Sequence, residues 1–401
     1  MNNILVLNCG SSSVKYKLFD MEKKEVITSG GVERVGLEGS FLKFKDRNGN
    51  KVTIEQPLPT QSEAVKLVMD TLVDPKYNFI KSYDEINAVG HRIVHGGEEF
   101  AESVLITDEV IEAVKRVSDL APLHNPANLK GIEAITKLLP NVPQVAVFDT
   151  AFHQTMEPYA YMYPLPYRMY SEYKIRRYGF HGTSHYYVSK RACELLGLDF
   201  ENSKIITCHI GNGGSIAAIK NGKVIDTSMG LTPVEGLMMG TRTGNIDPGA
   251  LAYIMEKEDL DAEGLRKLIN KDSGMSGFSE ISSDMRDIEA AIEEGNERAI
   301  LAMHMYNHRI KKYVGAYLAE LNGADAIVFT GGVGENQGST REYVCTDMEN
   351  LGLQIDVELN KTVFSKEVVI STPESKTAII VVPTDEEFVI ASDALRLSSQ
   401  K

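Results

Sequence analysis

The sequence predicts an α/β protein made of two related domains, each carrying a mixed sheet. Three observations lead there. Residues 4–20 (ILVLNCGSSSVKYKLFD) recur in altered form as residues 205–220 (IITCHIGNGGSIAAIK). Three strands followed by alternating helix and strand occur twice, which is the pattern of α/β layers with mixed sheets. No Pro- or Ser-rich linker separates the halves, so the join near residue 150 reads as a hinge. The domains are therefore expected at residues 1–150 with 385–401, and at 151–384.

The elements follow in order. Each repeat is an apolar strand, a run of Gly, Ser or Asn, and a second strand alternating with period two. Each then turns into a third strand, at 25–30 and 223–230. The turns suit phosphate: Ser11, Ser12 and Ser13 offer hydroxyls beside Gly10, and Gly211, Asn212, Gly213 and Gly214 offer backbone N–H groups with little bulk in the way. One such hairpin alone is an ordinary turn; two related copies favour a pair of phosphate-gripping hairpins facing one cleft. Residues 60–73 read as a helix, with Thr60 and Glu63 as a capping box and Val65, Val68, Met69 and Leu72 on one face. Another amphipathic helix is expected over 108–118. Asn125 reads as a cap with Pro126 at the first helical position, leading to a buried strand at 144–149. In the second half Ser184 is the expected cap of a helix ending near Gly197. A long helix, 297–321, precedes the buried strand 326–330. The last strand, 377–382, runs into Pro383 and a final helix, capped by Thr384 and Glu387, that returns to the first domain.

The chain has 401 residues, enough for two or three domains with full cores. A net charge of −14 argues against a nucleic-acid partner, because phosphate backbones demand basic surface. An anion site must then come from a few local donors. The four cysteines show neither CxxC spacing nor a disulfide framework and read as reduced thiols. No basic leader precedes an apolar run that stops at Asn8, and no stretch approaches transmembrane length. A cytoplasmic protein away from membranes is expected.

Several residues could carry chemistry. Asp149 closes a buried strand, where residues face the crevice of an open α/β sheet; metal binding, base work and a turn cap are all open to it. Arg92 in GHRIVHGG and Arg242 in MGTRTGNIDPG sit among glycines, and Arg is suited to bidentate contact with carboxylate and phosphate. Three His pairs share i,i+4 spacing (His91/His95, His181/His185, His304/His308), but none has the Glu of HExxH, and zinc hydrolysis is disfavoured. His124 and His181 each precede a helix start, where an imidazole can donate to an anion. FTGGVGEN (329–336) follows a strand and precedes a helix, yet fails G-x-G-x-x-G. No Walker A sequence occurs, so these glycines are expected to let backbone approach a nucleoside.

Taken together, NCGSSSVKYKLFD, GHRIVHGGE, APLHNPAN, FDTAFHQTM, YGFHGTSH, CHIGNGGS, GTRTGNIDPG and FTGGVGEN resemble the acetokinase family through almost the whole chain. That family lies in the superfamily joining sugar kinases, heat-shock chaperones and actin. The resemblance implies duplicated actin-like (ribonuclease H-like) ATPase domains flanking a nucleotide cleft. It further implies reversible transfer of the ATP γ-phosphoryl group to acetate, giving acetyl phosphate and ADP, with magnesium (or manganese) in a homodimer. Carried over position by position, Asn8 and Glu386 resemble the metal-site residues and Lys15 an ATP contact. Arg92 would hold acetate, Asp149 would be the essential carboxylate, and His181 and Arg242 would stabilise the transition state with His124 in support. Nucleotide-binding stretches are His209, Ile210, Gly211, Asn212 and Gly213; Asp284, Met285 and Arg286; and Gly332, Val333, Gly334, Glu335 and Asn336. Val94, Leu123, Phe180 and Pro233 match the pocket for the methyl group. Cys9, Gly214 and Thr243 depart from the family's usual residues at positions without a chemical role. A propionate or butyrate kinase is the nearest alternative. An actin-like or chaperone-like ATPase would need no Arg for an acidic acceptor, and a sugar kinase would use Asp149 as a base.

Overall fold

The computed structural model describes residues 2–122 and 124–400. The chain forms two compact units, Met1–Gln154 with Asp385–Lys401, and Thr155–Thr384. The first unit holds strands β1 (Asn3–Cys9), β2 (Ser13–Asp20), β3 (Glu25–Glu33), β4 (Phe41–Lys45), β5 (Lys51–Glu55), β6 (Ile86–Ile93), β7 (Val104–Leu105) and β8 (Gln144–Phe148). The second holds β9 (Lys204–Ile210), β10 (Gly214–Lys220), β11 (Lys223–Thr227), β12 (Ala326–Thr330), β13 (Val368–Val369) and β14 (Ala378–Val381).

The duplication extends beyond the repeated hairpin to six strands of each sheet; β4 and β5 are additions to the first. The orders are β5-β4-β3-β2-β1-β6-β8-β7 and β11-β10-β9-β12-β14-β13. In each, antiparallel strands (five in the first sheet, three in the second) lead to two strands parallel to the last of them, and a short antiparallel strand closes the edge. The expected α/β class with mixed sheets is found.

Alternation decides what each face of the first sheet carries. Leu5, Leu7 and Cys9 of β1, with Val14, Tyr16 and Leu18 of β2, join the core under the Gln61–Val73 helix. Ile4 and Val6, with Ala88, Val145 and Val147, pack instead against Ile390, Ala391 and Ala394 of the final helix, Glu386–Ser398. That helix lies close on β6 because position 90 is glycine: a Cβ there would stand 2.5 Å from Ile390 Cγ2. The final helix thus packs within the first unit. In the second sheet Ile206, Cys208 and Ile210 face the long helix Glu297–Leu321. The alternate residues Thr207 and His209 face the helix Gly182–Leu196, to which hydrogen bonds tie them.

Four expected caps are corrected. Thr60 is an N-cap by position, but its hydroxyl meets the Glu63 carboxylate rather than a backbone N–H. His124, not Asn125, precedes the Asn125–Leu138 helix, and the Asn125 amide is buried elsewhere. His181, not Ser184, stands at the N-cap of Gly182–Leu196. The final helix is capped by Asp385, which accepts from Phe388 N at 3.1 Å, so the Thr384–Glu387 box is one residue out of register. A polar residue near a helix start does not by itself say which one caps, because other partners compete for each side chain. FTGGVGEN also forms a short helix itself, Gly331–Asn336, rather than only preceding one.

Candidate functional site

In the first unit, polar side chains gather where β1, β6 and β8 end, on the face covered by the final helix. Asn8 continues the row Ile4, Val6; Arg92 the row Ala88, Gly90; and Asp149 the row Val145, Val147. Leu7 pairs with His91, so Asn8 lies beside Arg92, and Asp149 N bonds Ile93 O at 3.0 Å just past the paired ends of β6 and β8. The Arg92 guanidinium grips Asp149 with two bonds, Nε to Oδ1 at 2.9 Å and Nη2 to Oδ2 at 2.6 Å. The carboxylate is 2% exposed and the Arg92 side chain 25%, which leaves the guanidinium a free edge. Asp149, then Glu386 and Glu387, hold the Arg92 pKa above its ordinary value.

Glu386 opens the final helix between Asp385 and Glu387. Burial, and the negative charge of Asp149, Glu387 and Asp385, push its carboxyl up to about 7 against the pull of Arg92. A divalent cation would relieve this repulsion, and oxygen donors are what magnesium prefers, although among the described residues no group of three or more His, Cys, Asp or Glu is placed to hold a metal ion by itself. Sequence reasoning missed Lys17, whose Nζ reaches Asp385 Oδ1 at 3.3 Å and Glu387 Oε2 at 3.2 Å. Lys15 and Lys17 share the strand face of Phe19, which meets Phe388 edge-to-face at 6.2 Å. The alternation of β2 could have shown that both lysines face away from the Val14–Tyr16–Leu18 core.

Val94 begins the loop after β6 and is 9% exposed. Buried amides brace this loop: Asn128 Oδ1 accepts from Val94 N at 3.2 Å while its Nδ2 donates to Cys9 O at 2.7 Å. Asn125 Oδ1 accepts from His95 N at 3.2 Å and its Nδ2 donates to His95 O at 2.9 Å. The i,i+3 asparagines of HNPAN were the available signal. His124 is exposed at the head of that helix. Leu123 lies outside the described residues.

In the second unit His181, Arg242 and Gly213 converge. A Cβ on Gly213 would lie 3.3 Å from Arg242 Nη1 and 3.8 Å from His181 Nε2, so only glycine leaves that space open. Arg242 donates from Nη1 to Pro233 O at 3.2 Å, and burial lowers its pKa. Among the described residues no carboxylate forms an ion pair with it. His181 is left-handed (φ 56°, ψ 25°), a sparsely populated conformation for a residue with a side chain. Its ring stacks on His209 at 4.2 Å and 24°. Phe180 beside it is 4% exposed, and Pro233 is half-buried.

Next to these residues lies a cavity of about 610 Å³ whose lining includes Gly211, Asn212, Asp284, Met285, Arg286, Gly332, Val333 and Asn336. Eight of the expected nucleotide residues thus meet around one space; Gly240, Ser283, Glu289, Tyr306 and Gln337 complete it unforeseen. Asp284 caps the Met285–Glu293 helix and pairs with Arg286, whose guanidinium holds the carboxyl down to about 2. Glu335 does not line the cavity: its Oε1 accepts from Gly331 N at 3.0 Å and Thr384 N at 3.3 Å, bracing the glycine turn from behind. His209, Ile210, Gly213 and Gly334 flank the cavity rather than line it.

A glycine-lined cavity beside a half-buried guanidinium and an imidazole has the chemistry to take a nucleotide's phosphates, as a phosphotransferase must. Comparison with known proteins carries this further. The model of the acetokinase family matches residues 3–392. The chain is 63% identical to acetate kinase of Parabacteroides distasonis over 99% of its own length and 100% of the relative's. It is similar to the crystal structure of Porphyromonas gingivalis acetate kinase, at 61% identity and a TM-score of 0.97, covering 99% of this chain and 100% of that one. A propionate kinase from Francisella tularensis is 41% identical, with a TM-score of 0.92 and coverage of 99% and 100%. The chain belongs to the acetokinase family, and its two sheets are duplicated actin-like ATPase domains.

Proposed function

We infer that the chain is an acetate kinase, transferring the γ-phosphoryl group of ATP reversibly to acetate to give acetyl phosphate and ADP. The observation that carries this is the end-to-end likeness to acetate kinases at about 60% identity. The acceptor is a carboxylate already ionised at neutral pH, so no base is needed to make the nucleophile. The difficulty is bringing one anion up to another and holding the reacting atoms in line.

The side chains divide that work. Arg92 holds the acceptor carboxylate with the guanidinium edge that Asp149 leaves free. Asp149 fixes the orientation of Arg92 and has no proton to abstract. Arg242 and His181 offset the charge that spreads over the phosphoryl oxygens, with His124 in support. Val94, Leu123, Phe180 and Pro233 would take the methyl group. Lys15 and the cavity residues around Asn212, Asp284 and Gly332 bind the nucleotide. Asn8 and Glu386 would hold magnesium, or manganese in its place, which offsets phosphate charge when bound. The enzyme works as a cytoplasmic homodimer; its four buried free cysteines suit a reducing compartment, and no described helix is long and apolar enough to cross a membrane.

The test is to trap acyl phosphate with hydroxylamine, supplying ATP, magnesium and each C2 to C4 acid in turn. Acetate should give the fastest signal. Faster reaction with propionate or butyrate would make this a longer-chain acyl kinase, and one methylene separates such substrates by only about 1–3 kcal/mol. ATP loss with no acceptor present would point to an ATPase.

A further inference from the structure

We propose that Ser215 and His185 are positioning residues that decide which ring nitrogen of His181 carries its proton. The inference rests on the reading of His181 as a group that stabilises phosphoryl charge. Ser215 Oγ lies 2.9 Å from His181 Nδ1 and 2.7 Å from His185 Nε2. On its other side, His185 Nδ1 lies 2.7 Å from Thr207 Oγ1. Ser215, His185 and Thr207 are all 0% exposed.

The sheet explains why these groups meet. Ser215 of β10 pairs directly with His209 of β9, so it shares a face with His209 and Thr207. His181 and His185, one turn apart at the start of the Gly182–Leu196 helix, lie over that face. His209 is fixed in turn, its Nδ1 bonded to Ser184 Oγ at 2.8 Å, and it stacks on the His181 ring.

A hydroxyl has one proton, so Ser215 can donate to only one of the two imidazoles. Two arrangements keep that proton within the row. In the first arrangement Thr207 donates to His185 Nδ1, His185 Nε2–H donates to Ser215, and Ser215 donates to His181 Nδ1. Neutral His181 then carries its proton on Nε2. In the second every bond is reversed, the proton count is unchanged, and Nε2 of neutral His181 is unprotonated. The Nε2 edge faces the Gly213 turn, where Arg242 also points. That guanidinium opposes a second positive charge on His181, so the first arrangement is the one that offers an N–H to a phosphoryl oxygen.

The experiment is nitrogen NMR on full-length enzyme labelled with ¹⁵N-histidine, alongside steady-state kinetics. The expected wild-type signature is a protonated Nε2 and an unprotonated Nδ1 on His181. Ser215→Ala should mix the tautomers and lower kcat about tenfold to a hundredfold, with the KM values for acetate and ATP nearly unchanged. A wild-type enzyme protonated at Nδ1 would overturn the proposal, as would a Ser215→Ala variant with unaltered kcat. If that variant does not fold, His185→Gln and the wild-type signature decide the matter. The tautomer is read without turnover, so a chain that makes no acyl phosphate would sink the proposed function and still leave this inference judged by its spectrum.

Discussion

The two units share the order of six strands and differ in what stands at the ends of the equivalent ones. In the first, Asn8 lies beside Arg92, and Arg92 grips Asp149. In the second, His209 pairs with Thr330, and Ser184 links His209 to Thr384. A charged row on one sheet corresponds to a row of hydroxyls and imidazoles on the other. The cations differ too: Arg92 is bound to a carboxylate, whereas Arg242 donates to a carbonyl and is depressed by burial. One scaffold therefore gives an acid-rich centre suited to a metal and a cation-rich one suited to phosphate. The fold positions the side chains and does not choose their chemistry.

Arg242→Ala tests the cation-rich side and should have the largest effect. Loss of a single electrostatic group of this kind costs about a hundredfold or more in rate. We expect turnover to fall by that much while ADP binding, measured by calorimetry, changes little; equal losses in both would contradict the role. Stability should fall only modestly, because the hydrogen bond to Pro233 O is lost but no ion pair is. Asp149→Asn should do the opposite for stability. It leaves a mostly buried guanidinium with a weaker partner, at a cost of about 3 kcal/mol, the low end for breaking a buried pair, since Arg92 is a quarter exposed. Urea unfolding of both variants reads the contrast.

A third test concerns the scaffold of the acid-rich unit. His91 is buried on β6, bonded to Gln144 Oε1 at 2.8 Å, and burial lowers its pKa to about 4. The ordinary value in the unfolded chain is about 6.5, so between those limits the unfolded state binds more protons than the folded one. The stability this group contributes is complete above pH 6.5 and is lost as pH falls toward 4. Unfolding at pH 7.5 and 5 should show wild type losing about 2 kcal/mol more than His91→Gln. An equal loss in the two proteins would place the acid sensitivity elsewhere.

Much of this was legible because it depends on local periodicity. The repeated hairpin, the long helix at 297–321 and the strand at 326–330 follow from apolar spacing, and all three stand where expected. Asp149 was visible as a carboxylate closing an apolar strand and Arg92 as a guanidinium set among glycines, although their ion pair was not. The caps were misread because several polar residues lie within a position or two of each helix start, and tertiary partners choose among them. Ser184, for example, serves His209 and Thr384 rather than its own helix. Ser215 was missed because its partner His181 lies 34 residues away, beyond any local pattern.

Lys17 gives the smallest expected effect and the sharpest question about the acid-rich centre. Its contacts to Asp385 and Glu387 are partly exposed, worth about 1 kcal/mol or less. Lys17→Met has two opposed consequences for a cation held near Glu386. Removing a positive charge beside three acids should tighten divalent binding. Releasing the residues on both sides of Glu386 should loosen the helix start and weaken it. Because Lys17 joins Asp385 to Glu387 across Glu386, the second effect should prevail, and manganese affinity read by electron paramagnetic resonance should fall by about threefold. Tighter binding would mean that Lys17 acts on this centre through charge alone, and that packing of Phe19 on Phe388 suffices to hold the helix in place.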